Sequence, residues 1–158
     1  MKEFMDVAIN LSDDNFTKGL GGPFGACIVR DGRIIGKGTN SVIKYKDPTA
    51  HAEIIAIRNA CRTINSYDLI ECELYTSCYP CPMCLSAIIW SNIKKVYYAN
   101  TKEDAADIGF RDEFIYDFIN KLSTKKPDTK TLDLIPLNRE EALEVFKRYK
   151  EDKNRVKY

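Results

Sequence analysis

Three of the six cysteines stand at intervals of three residues within residues 76–84. Pro80 and Pro82 each fix their own φ and restrict the preceding residue, so this stretch predicts a strand end, a turn and a helix start. Pro82 suits the first helical position, which makes Cys81 the N-cap and Cys84 the third helical residue. Backbone N–H groups and the positive helix end favour thiolates at both positions. The pattern indicates a pair of metal ligands.

The only histidine, His51, stands in His51-Ala52-Glu53. A catalytic zinc site needs about three protein ligands and an open position for water, and His51, Cys81 and Cys84 supply that number. Bound zinc lowers the pKa of such a water to roughly 7, which creates a nucleophile at neutral pH. Glu53 lies about 200° around an ideal helix from His51, so we expect a flanking proton carrier rather than a ligand.

Other interpretations of the cysteines remain open. A Cys-x-x-Cys pair also occurs in redox sites and structural zinc sites, and three cysteines at this spacing begin an iron–sulfur pattern. That pattern requires a fourth cysteine where Ile88 stands. His-x-Glu followed by Pro-Cys-x-x-Cys, each opening a helix, is instead typical of zinc deaminases of nucleobases. The leading hypothesis is therefore hydrolytic deamination, and a structural zinc or iron–sulfur module is the alternative from another class.

Composition narrows the classes of function. The 158 residues fit one domain, and 24 basic against 23 acidic residues leave a net charge of +1. A dedicated nucleic-acid binder carries a basic excess, so the charge argues against that partner. Acidic residues among the first six leave no apolar core of the kind that a signal peptide has. The longest apolar run, residues 83–90, is too short to span a membrane. We expect a cytoplasmic protein whose cysteines are thiols or metal ligands rather than disulfides.

The predicted elements surround these motifs. Asp31-Gly32 between two apolar runs predicts a hairpin of residues 24–30 and 33–38, because a type I′ turn needs positive φ. Strands are also predicted at 73–77, 94–99 and 132–137. Helices are predicted at about 4–20, from Asp47 or Thr49 as N-cap to 64, at 82–90, 104–109 and 113–121, and from Asn138 to 151 in a capping box. Trp90 is expected in the core. Alternating strands and helices favour a partly parallel sheet covered by helices.

Three motifs, residues 21–26, 47–53 and 81–84, resemble those of the cytidine-deaminase-like superfamily, and its purine deaminases share them, including bacterial tRNA adenosine deaminases. Residues 104–116 resemble the guanine-acting members rather than the tRNA-acting ones, and Tyr158 also matches. The resemblance implies an α/β fold, a three-layer α/β/α arrangement with a central mixed sheet of about five strands. Residues 1–158 would form a single domain, in a homodimer whose C-terminal helix and tail (about 138–158) swap onto the partner subunit.

The same resemblance implies the chemistry. One Zn²⁺ per subunit would be held by His51, Cys81 and Cys84, and Glu53 would carry a proton from the zinc-bound water to a ring nitrogen and then to the departing amine. Attack at C2 of guanine would give xanthine and ammonia. Adenosine in tRNA is the alternative substrate.

The resemblance also implies how the purine base is bound. Asn40 would hydrogen-bond the base, Phe24 would pack against it, and Asp112 would bind guanine and take part in proton transfer. A carboxylate suits guanine, whose N1–H and 2-amino group are adjacent donors. Tyr158 would close the site from the partner subunit.

One residue departs from the pattern of the superfamily. Tyr79 stands between Cys78 and Pro80, where these families usually place a glutamate. That glutamate is not a metal ligand, so the departure bears on the hydrogen bonding around the site and on the substrate rim. Cys78 is expected near the metal but not on it, because a fourth protein ligand would displace the reactive water.

Overall fold

The computed structural model describes residues 1–110, 112–122, 124 and 130–154, and the chain divides into two units, Met1–Tyr116 and Asp117–Tyr158. The first unit contains α1 (Lys2–Thr17), β1 (Gly25–Arg30), β2 (Arg33–Thr39), α2 (Val42–Tyr45), α3 (Ala52–Ile64), β3 (Glu73–Cys78), α4 (Pro82–Trp90), β4 (Lys95–Asn100) and α5 (Lys102–Asp107). Helix α6 (Glu113–Leu122) begins in the first unit and continues into the second, which also contains α7 (Arg139–Glu151).

The strands form one mixed sheet in the order β2-β1-β3-β4. Strand β1 is antiparallel to both of its neighbours, whereas β3 and β4 are parallel, so the predicted mixed sheet is confirmed. The described residues contain four strands rather than about five. The strand predicted at 132–137 is wrong: this segment is irregular and leaves Leu134 and Ile135 exposed. Its apolar residues suggested a strand, but Pro136 lacks an N–H, and a strand exists only where its backbone is paired.

The predicted hairpin is confirmed. Strands β1 and β2 pair in antiparallel register from Gly25 opposite Thr39 to Arg30 opposite Arg33. Between them, Asp31 and Gly32 have φ angles of 51° and 70°, as the turn requires.

Helices cover both faces of the sheet. Because side chains alternate along β1, Cys27 and Val29 join α1 in one apolar cluster, while Ala26 and Ile28 join α3 and α4 in another. The three-layer α/β/α arrangement is therefore confirmed. The helix predicted at about 4–20 is α1, which ends at Thr17.

The backbone of helix α3 packs directly on β2. Its core face carries Ala52, Ala56 and Ala60, all fully buried. A Cβ atom at Gly38 would overlap the carbonyl oxygen of Ala52 and approach the amide nitrogen of Ala56 to 2.6 Å. Glycine is thus required at position 38 for the helix backbone to rest on the strand, and this contact fixes the start of α3 over the sheet.

The start of α3 differs from the prediction. Neither Asp47 nor Thr49 is its N-cap: the helix begins at Ala52, and His51 is the N-cap in an extended conformation. The carboxylate of Asp47 instead accepts hydrogen bonds from the backbone and hydroxyl of Thr49, at 2.8 and 2.7 Å. The hydrogen bonds of this local turn occupy the Asp47 carboxylate, which therefore does not cap the helix. The segment between β2 and α3 also contains the short helix α2, which was not among the predicted elements.

Helix α4 has the predicted bounds, with Cys81 as N-cap and Pro82 in the first turn. Trp90 at its end was expected in the core, and that prediction is wrong. Trp90 is 73% exposed and Ile89 is 70% exposed. The helix covers the sheet on one side only, through residues such as Ile88, so the last turn projects away from the core.

In the second unit, α7 starts after Asn138 as predicted, but the capping box does not form. Asn138 has a left-handed conformation, and its side chain makes no capping hydrogen bond. A capping box occurs instead at α5, where Thr101 and Asp104 bond each other's backbone N–H groups. Side chains of α7 such as Phe146 are exposed.

Candidate active site

The starts of two helices bring His51, Cys81 and Cys84 together. Each of the first two residues is an N-cap in an extended conformation, with ψ angles of 160° and 168°. The Nδ1 atom of His51 lies 3.6 Å from Sγ of Cys81 and 3.7 Å from Sγ of Cys84. Among the described residues, these three form the group whose geometry could hold a metal ion.

The geometry of this group fits zinc. Zinc–sulfur bonds of about 2.3 Å and zinc–nitrogen bonds of about 2.0–2.1 Å at tetrahedral angles place nitrogen and sulfur about 3.5–3.6 Å apart. The two observed distances, 3.6 and 3.7 Å, agree with that spacing. One nitrogen and two sulfurs are also a donor set that zinc accepts in catalytic sites.

The protein environment shifts the pKa values of the Cys81 and Cys84 thiols in opposite directions. The hydrogen bond shared with Cys84, together with the one to His51, lowers the pKa of Cys81 to about 4. The hydrogen bond to Cys81, together with burial, raises the pKa of Cys84. The hydrogen bond to Cys81 raises the pKa of His51. Such a cluster of perturbed groups in a cleft is typical of a functional site.

Glu53 lies beside the three candidate ligands and is only 7% exposed. Its Oε1 accepts a hydrogen bond from Oγ1 of Thr76 at 3.3 Å, and its Oε2 accepts one from Sγ of Cys84 at 3.4 Å. Burial raises the pKa of this carboxyl, and the charge of Cys81 raises it further. Because His51 is extended rather than helical, the separation expected on an ideal helix does not apply. Glu53 can therefore reach the candidate ligands without replacing one.

A cavity of about 290 Å³ opens over this group. The three residues predicted to bind the base, Phe24, Asn40 and Asp112, all line it together with His51 and Glu53. Burial raises the pKa of Asp112, and the charge of Cys81 adds to that effect while His51 opposes it. Tyr158, the remaining predicted site residue, lies outside the described residues.

Asn40 is held by its backbone and by a residue that sequence analysis missed. Its N–H donates to the carbonyl of Phe24 at 3.0 Å. Asn15, buried on α1, donates from Nδ2 to the carbonyls of Asn40 and Gly22, both at 2.9 Å. Asn15 thereby ties two cavity-lining segments together. The sequence contained one indication, a polar residue within the predicted helix, but not the identity of its partners.

Phe110 is a second cavity-lining residue that sequence analysis missed. Its ring meets that of Phe24 edge-on, with 4.8 Å between centroids and an angle of 90°. A Cβ atom at Gly22 would lie 3.0 Å from Phe110 and 3.2 Å from Phe24. The absence of a side chain at Gly22 therefore leaves room for the aromatic pair. Nothing in the local pattern around Phe110 indicated this contact.

The neighbours of the metal-binding turn have distinct surroundings. Cys78 is buried, its thiol donates to the carbonyl of Thr101 at 3.4 Å, and burial raises its pKa to about 11. It stands outside the group of candidate ligands. Tyr79 lines the cavity, and its ring meets Tyr98 edge-on at 5.0 Å. At this position the cavity therefore has an uncharged aromatic wall.

All six cysteines are unpaired in the structure. In the described part of the chain, no helix combines the length and the apolar character needed to cross a lipid bilayer.

Comparison with known proteins identifies the family. Residues 1–100 match the model of the cytidine and deoxycytidylate deaminase zinc-binding region. Guanine deaminase of Bacillus subtilis (strain 168) is 44% identical over 155 residues, which is 98% of this chain and 97% of that protein. The X-ray structure of guanine deaminase from Bacillus subtilis gives a TM-score of 0.88 and covers 99% of this chain and 98% of that chain.

Two further proteins match a smaller part of the chain. The tRNA-specific adenosine deaminase of Aquifex aeolicus (strain VF5) is 48% identical over 96 residues, 61% of this chain and 63% of that protein. The structure of NE0047 in complex with 2,6-diaminopurine is 35% identical with a TM-score of 0.66, and covers 69% of this chain and 61% of that chain. By its family match and its full-length similarity, this chain belongs to the zinc-binding cytidine and deoxycytidylate deaminase family.

Proposed function

We propose that this protein is a zinc-dependent hydrolase that converts guanine to xanthine and ammonia. The observation that carries the proposal is that Asp112 lines the same cavity as His51, Cys81 and Glu53. Asp112 lies beyond residues 1–100, the part that matches the general family. The similarity to guanine deaminase of Bacillus subtilis extends over 98% of the chain.

Base recognition follows from the polar and aromatic residues of the cavity. Ionised Asp112 accepts hydrogen bonds from N1–H and the 2-amino group of guanine, two donors that lie side by side. Adenine offers no N1–H, so the same carboxylate would lack a partner there. Asn40 hydrogen-bonds the base, and Phe24 packs against the base. The Phe110 ring meets the Phe24 ring edge-on.

His51, Cys81 and Cys84 hold the zinc ion, which when bound supplies a water of lowered pKa at neutral pH. Glu53 accepts one proton from the attacking water and gives it to N3 of the ring as the C2=N3 double bond opens. It then takes the second proton from the same oxygen, as the C2=O bond forms, and gives it to the leaving amino group. The new bond joins C2 to the water oxygen, the bond from C2 to the amino nitrogen breaks, and ammonia departs. The raised pKa of Glu53 suits a group that must both take and release a proton.

The purified zinc-loaded protein tests the proposal directly. Incubation with guanine is expected to yield xanthine and ammonia in equal amounts. Inosine formation in tRNA without turnover of guanine would contradict the proposal in favour of the tRNA-acting alternative. Turnover of neither substrate, with a metal held by sulfur ligands alone, would indicate a structural module.

We further propose a cytoplasmic homodimer, with residues 1–158 as one functional domain and the C-terminal helix and tail (about 138–158) exchanged between subunits. The exposure of Ile89 and Trp90 on α4, and of Phe146 on α7, supports a partner subunit that covers apolar surface. Tyr158 of each chain would then close the partner's cavity. Six unpaired cysteines support the reducing compartment.

A further inference from the structure

Tyr116 joins the Asp112 segment to the turn that carries the cysteine ligands. Its hydroxyl donates to the carbonyl of Pro80 at 3.2 Å. Its backbone N–H donates to the carbonyl of Asp112 at 3.3 Å, and the N–H of Ile115 donates to the same carbonyl at 2.9 Å. One residue thus contacts both the segment that presents the carboxylate and the residue immediately before Cys81.

The carbonyl of Pro80 is a sensitive place for such a contact. Pro80 is almost fully buried, and Cys81 after it is the extended N-cap of α4. The turn contains two prolines, which have no N–H to donate within it. The Tyr116 hydroxyl, on another element, supplies a donor to the Pro80 carbonyl. The Tyr116 ring is held in turn by Lys102, whose Nζ lies 5.8 Å from the ring centroid.

The segment that carries Asp112 has two side-chain contacts with other parts of the first unit. The short helix α5 and a left-handed glycine at position 109, with φ of 94°, separate Asp112 from the sheet. Two residues before Asp112, Phe110 packs on Phe24, and four residues after it, Tyr116 bonds Pro80. Asp112 lies between these two contacts along the chain. Of the two, the tyrosine connects it to the metal-binding turn.

We propose that Tyr116 is a positioning residue, whose hydroxyl fixes the Asp112 carboxylate relative to the Cys81 turn so that both act on one bound base. This inference rests on the proposed function of Asp112 in binding guanine. Tyr116 itself contacts neither the base nor the metal in this scheme.

The test compares Tyr116→Phe with Tyr75→Phe. Tyr75 also donates one hydrogen bond from a phenol, to Glu73 at 2.9 Å, but it packs in the cluster under α1. A hydrogen bond of ordinary strength predicts that kcat/KM for guanine falls about two- to tenfold in Tyr116→Phe. Zinc content should stay at one per chain, and Tyr75→Phe should keep the kcat/KM of the wild type.

A double-mutant cycle separates positioning from general support of the structure. In the Asp112→Asn background, Tyr116→Phe should cause little additional loss, because the group that it positions has already been changed. An equal loss in both backgrounds, or an unchanged kcat/KM in Tyr116→Phe alone, would overturn the inference.

Hydrogen exchange provides a measurement that does not depend on turnover. The amides of Ile115 and Tyr116, which bond the Asp112 carbonyl, should exchange several-fold faster in Tyr116→Phe and at the wild-type rate in Tyr75→Phe. If the wild-type protein fails to deaminate guanine, the proposed function is wrong. The exchange rates still test whether the Tyr116 hydroxyl holds the segment around Asp112 in place. Unchanged exchange at both amides would rule out the role of Tyr116.

Discussion

At the residue scale, Glu53 is a buried carboxyl beside the candidate metal ligands. A carboxyl that is 7% exposed would ordinarily be unfavourable, and burial accordingly raises its pKa. Thr76 and Cys84 each donate to one of its oxygens, which compensates for part of the lost hydration. A carboxylate with a raised pKa is a stronger base than that of an exposed glutamate, which suits the proton transfers of the proposed reaction.

Glu53→Gln should retain zinc and the fold while turnover of guanine falls by about 10²- to 10⁴-fold, because an amide cannot accept and release the proton. Turnover, metal content and thermal unfolding measured on the same sample would check this. Glu71→Gln, at an exposed position that pairs with Arg30, is the matched control and should keep the turnover and zinc content of the wild type. A Glu53→Gln protein with most of its activity would remove Glu53 from the mechanism.

Asp112→Asn should raise KM for guanine by an order of magnitude or more, because the variant loses the charged acceptor of two donors. Burial raises the pKa of Asp112, so binding to the wild type should weaken as the pH falls through that raised value. The weakening should begin at a higher pH than it would for an exposed aspartate. KM measured as a function of pH tests this, and a KM equal to that of the wild type would contradict it.

Stability should depend on Asp112 with the opposite sign. A carboxyl whose pKa is raised by folding holds its proton more tightly in the native state, so stability falls as the pH rises through that window. At neutral pH, Asp112→Asn should therefore unfold at a temperature no lower than the wild type. Below the ordinary aspartate pKa, both side chains are neutral and the two proteins should converge. Thermal unfolding at several pH values measures the difference.

At the element scale, the site depends on where two helices begin. His51 and Cys81 are both N-caps, so their side chains leave the helices at the end where backbone N–H groups point outward. The start of α3 is fixed by its close approach to β2 at Gly38, and the start of α4 by the proline turn after β3. Strands β2 and β3 lie on either side of β1, so these two helix starts place the histidine and the cysteines near each other.

Gly38→Ala should move the start of α3 away from the sheet, because the new methyl group overlaps the carbonyl of Ala52. Overpacking of this kind lowers the free energy of unfolding by about 1–3 kcal/mol. The variant should also release zinc faster, since His51 is the residue before Ala52. Urea unfolding and zinc release to a chelator measure the two effects.

The neighbouring change Lys37→Ala is the control for Gly38→Ala, because Lys37 is exposed on the same strand. It should alter stability by no more than about 0.5 kcal/mol. If both variants matched the wild type in stability and zinc release, the close contact of α3 with β2 would not position the metal site.

At the scale of the whole molecule, the question is which subunit completes each site. The candidate ligands, Glu53 and Asp112 all belong to the unit Met1–Tyr116. The proposed lid residue, Tyr158, belongs to the other end of the chain. A domain-swapped dimer would therefore combine one subunit's reacting groups with its partner's tail.

Mixing two inactive variants tests this exchange. Deletion of residues 156–158 should impair turnover far more than thermal stability, and Glu53→Gln has an intact tail but lacks the proton carrier. If the tail acts in trans, the heterodimer contains one complete site, and random pairing of equal amounts should recover about a quarter of wild-type activity. Activity no greater than the sum of the two variants would show that the tail does not act in trans, and full activity of the deletion alone would eliminate the lid.

Much of the chemistry was determined by the sequence itself, because it depends on local spacing. Two cysteines three residues apart after a proline must share one turn of a helix, and a single histidine left no other candidate for the nitrogen ligand. The hairpin at Asp31-Gly32 and the bounds of α4 were also predictable, since turn and cap preferences act between near neighbours.

Tertiary structure alone decided the features that depend on distant contacts. Asn15 reaches Asn40, and Phe110 reaches Phe24, across separations that no local pattern encodes. Trp90 is exposed although the apolar composition of α4 predicts burial. Packing determines which side of the helix meets the sheet, and Trp90 lies on another side. The apolar segment at 132–137 forms no strand for a similar reason: strand propensity needs a paired edge, and pairing is a property of the assembled fold.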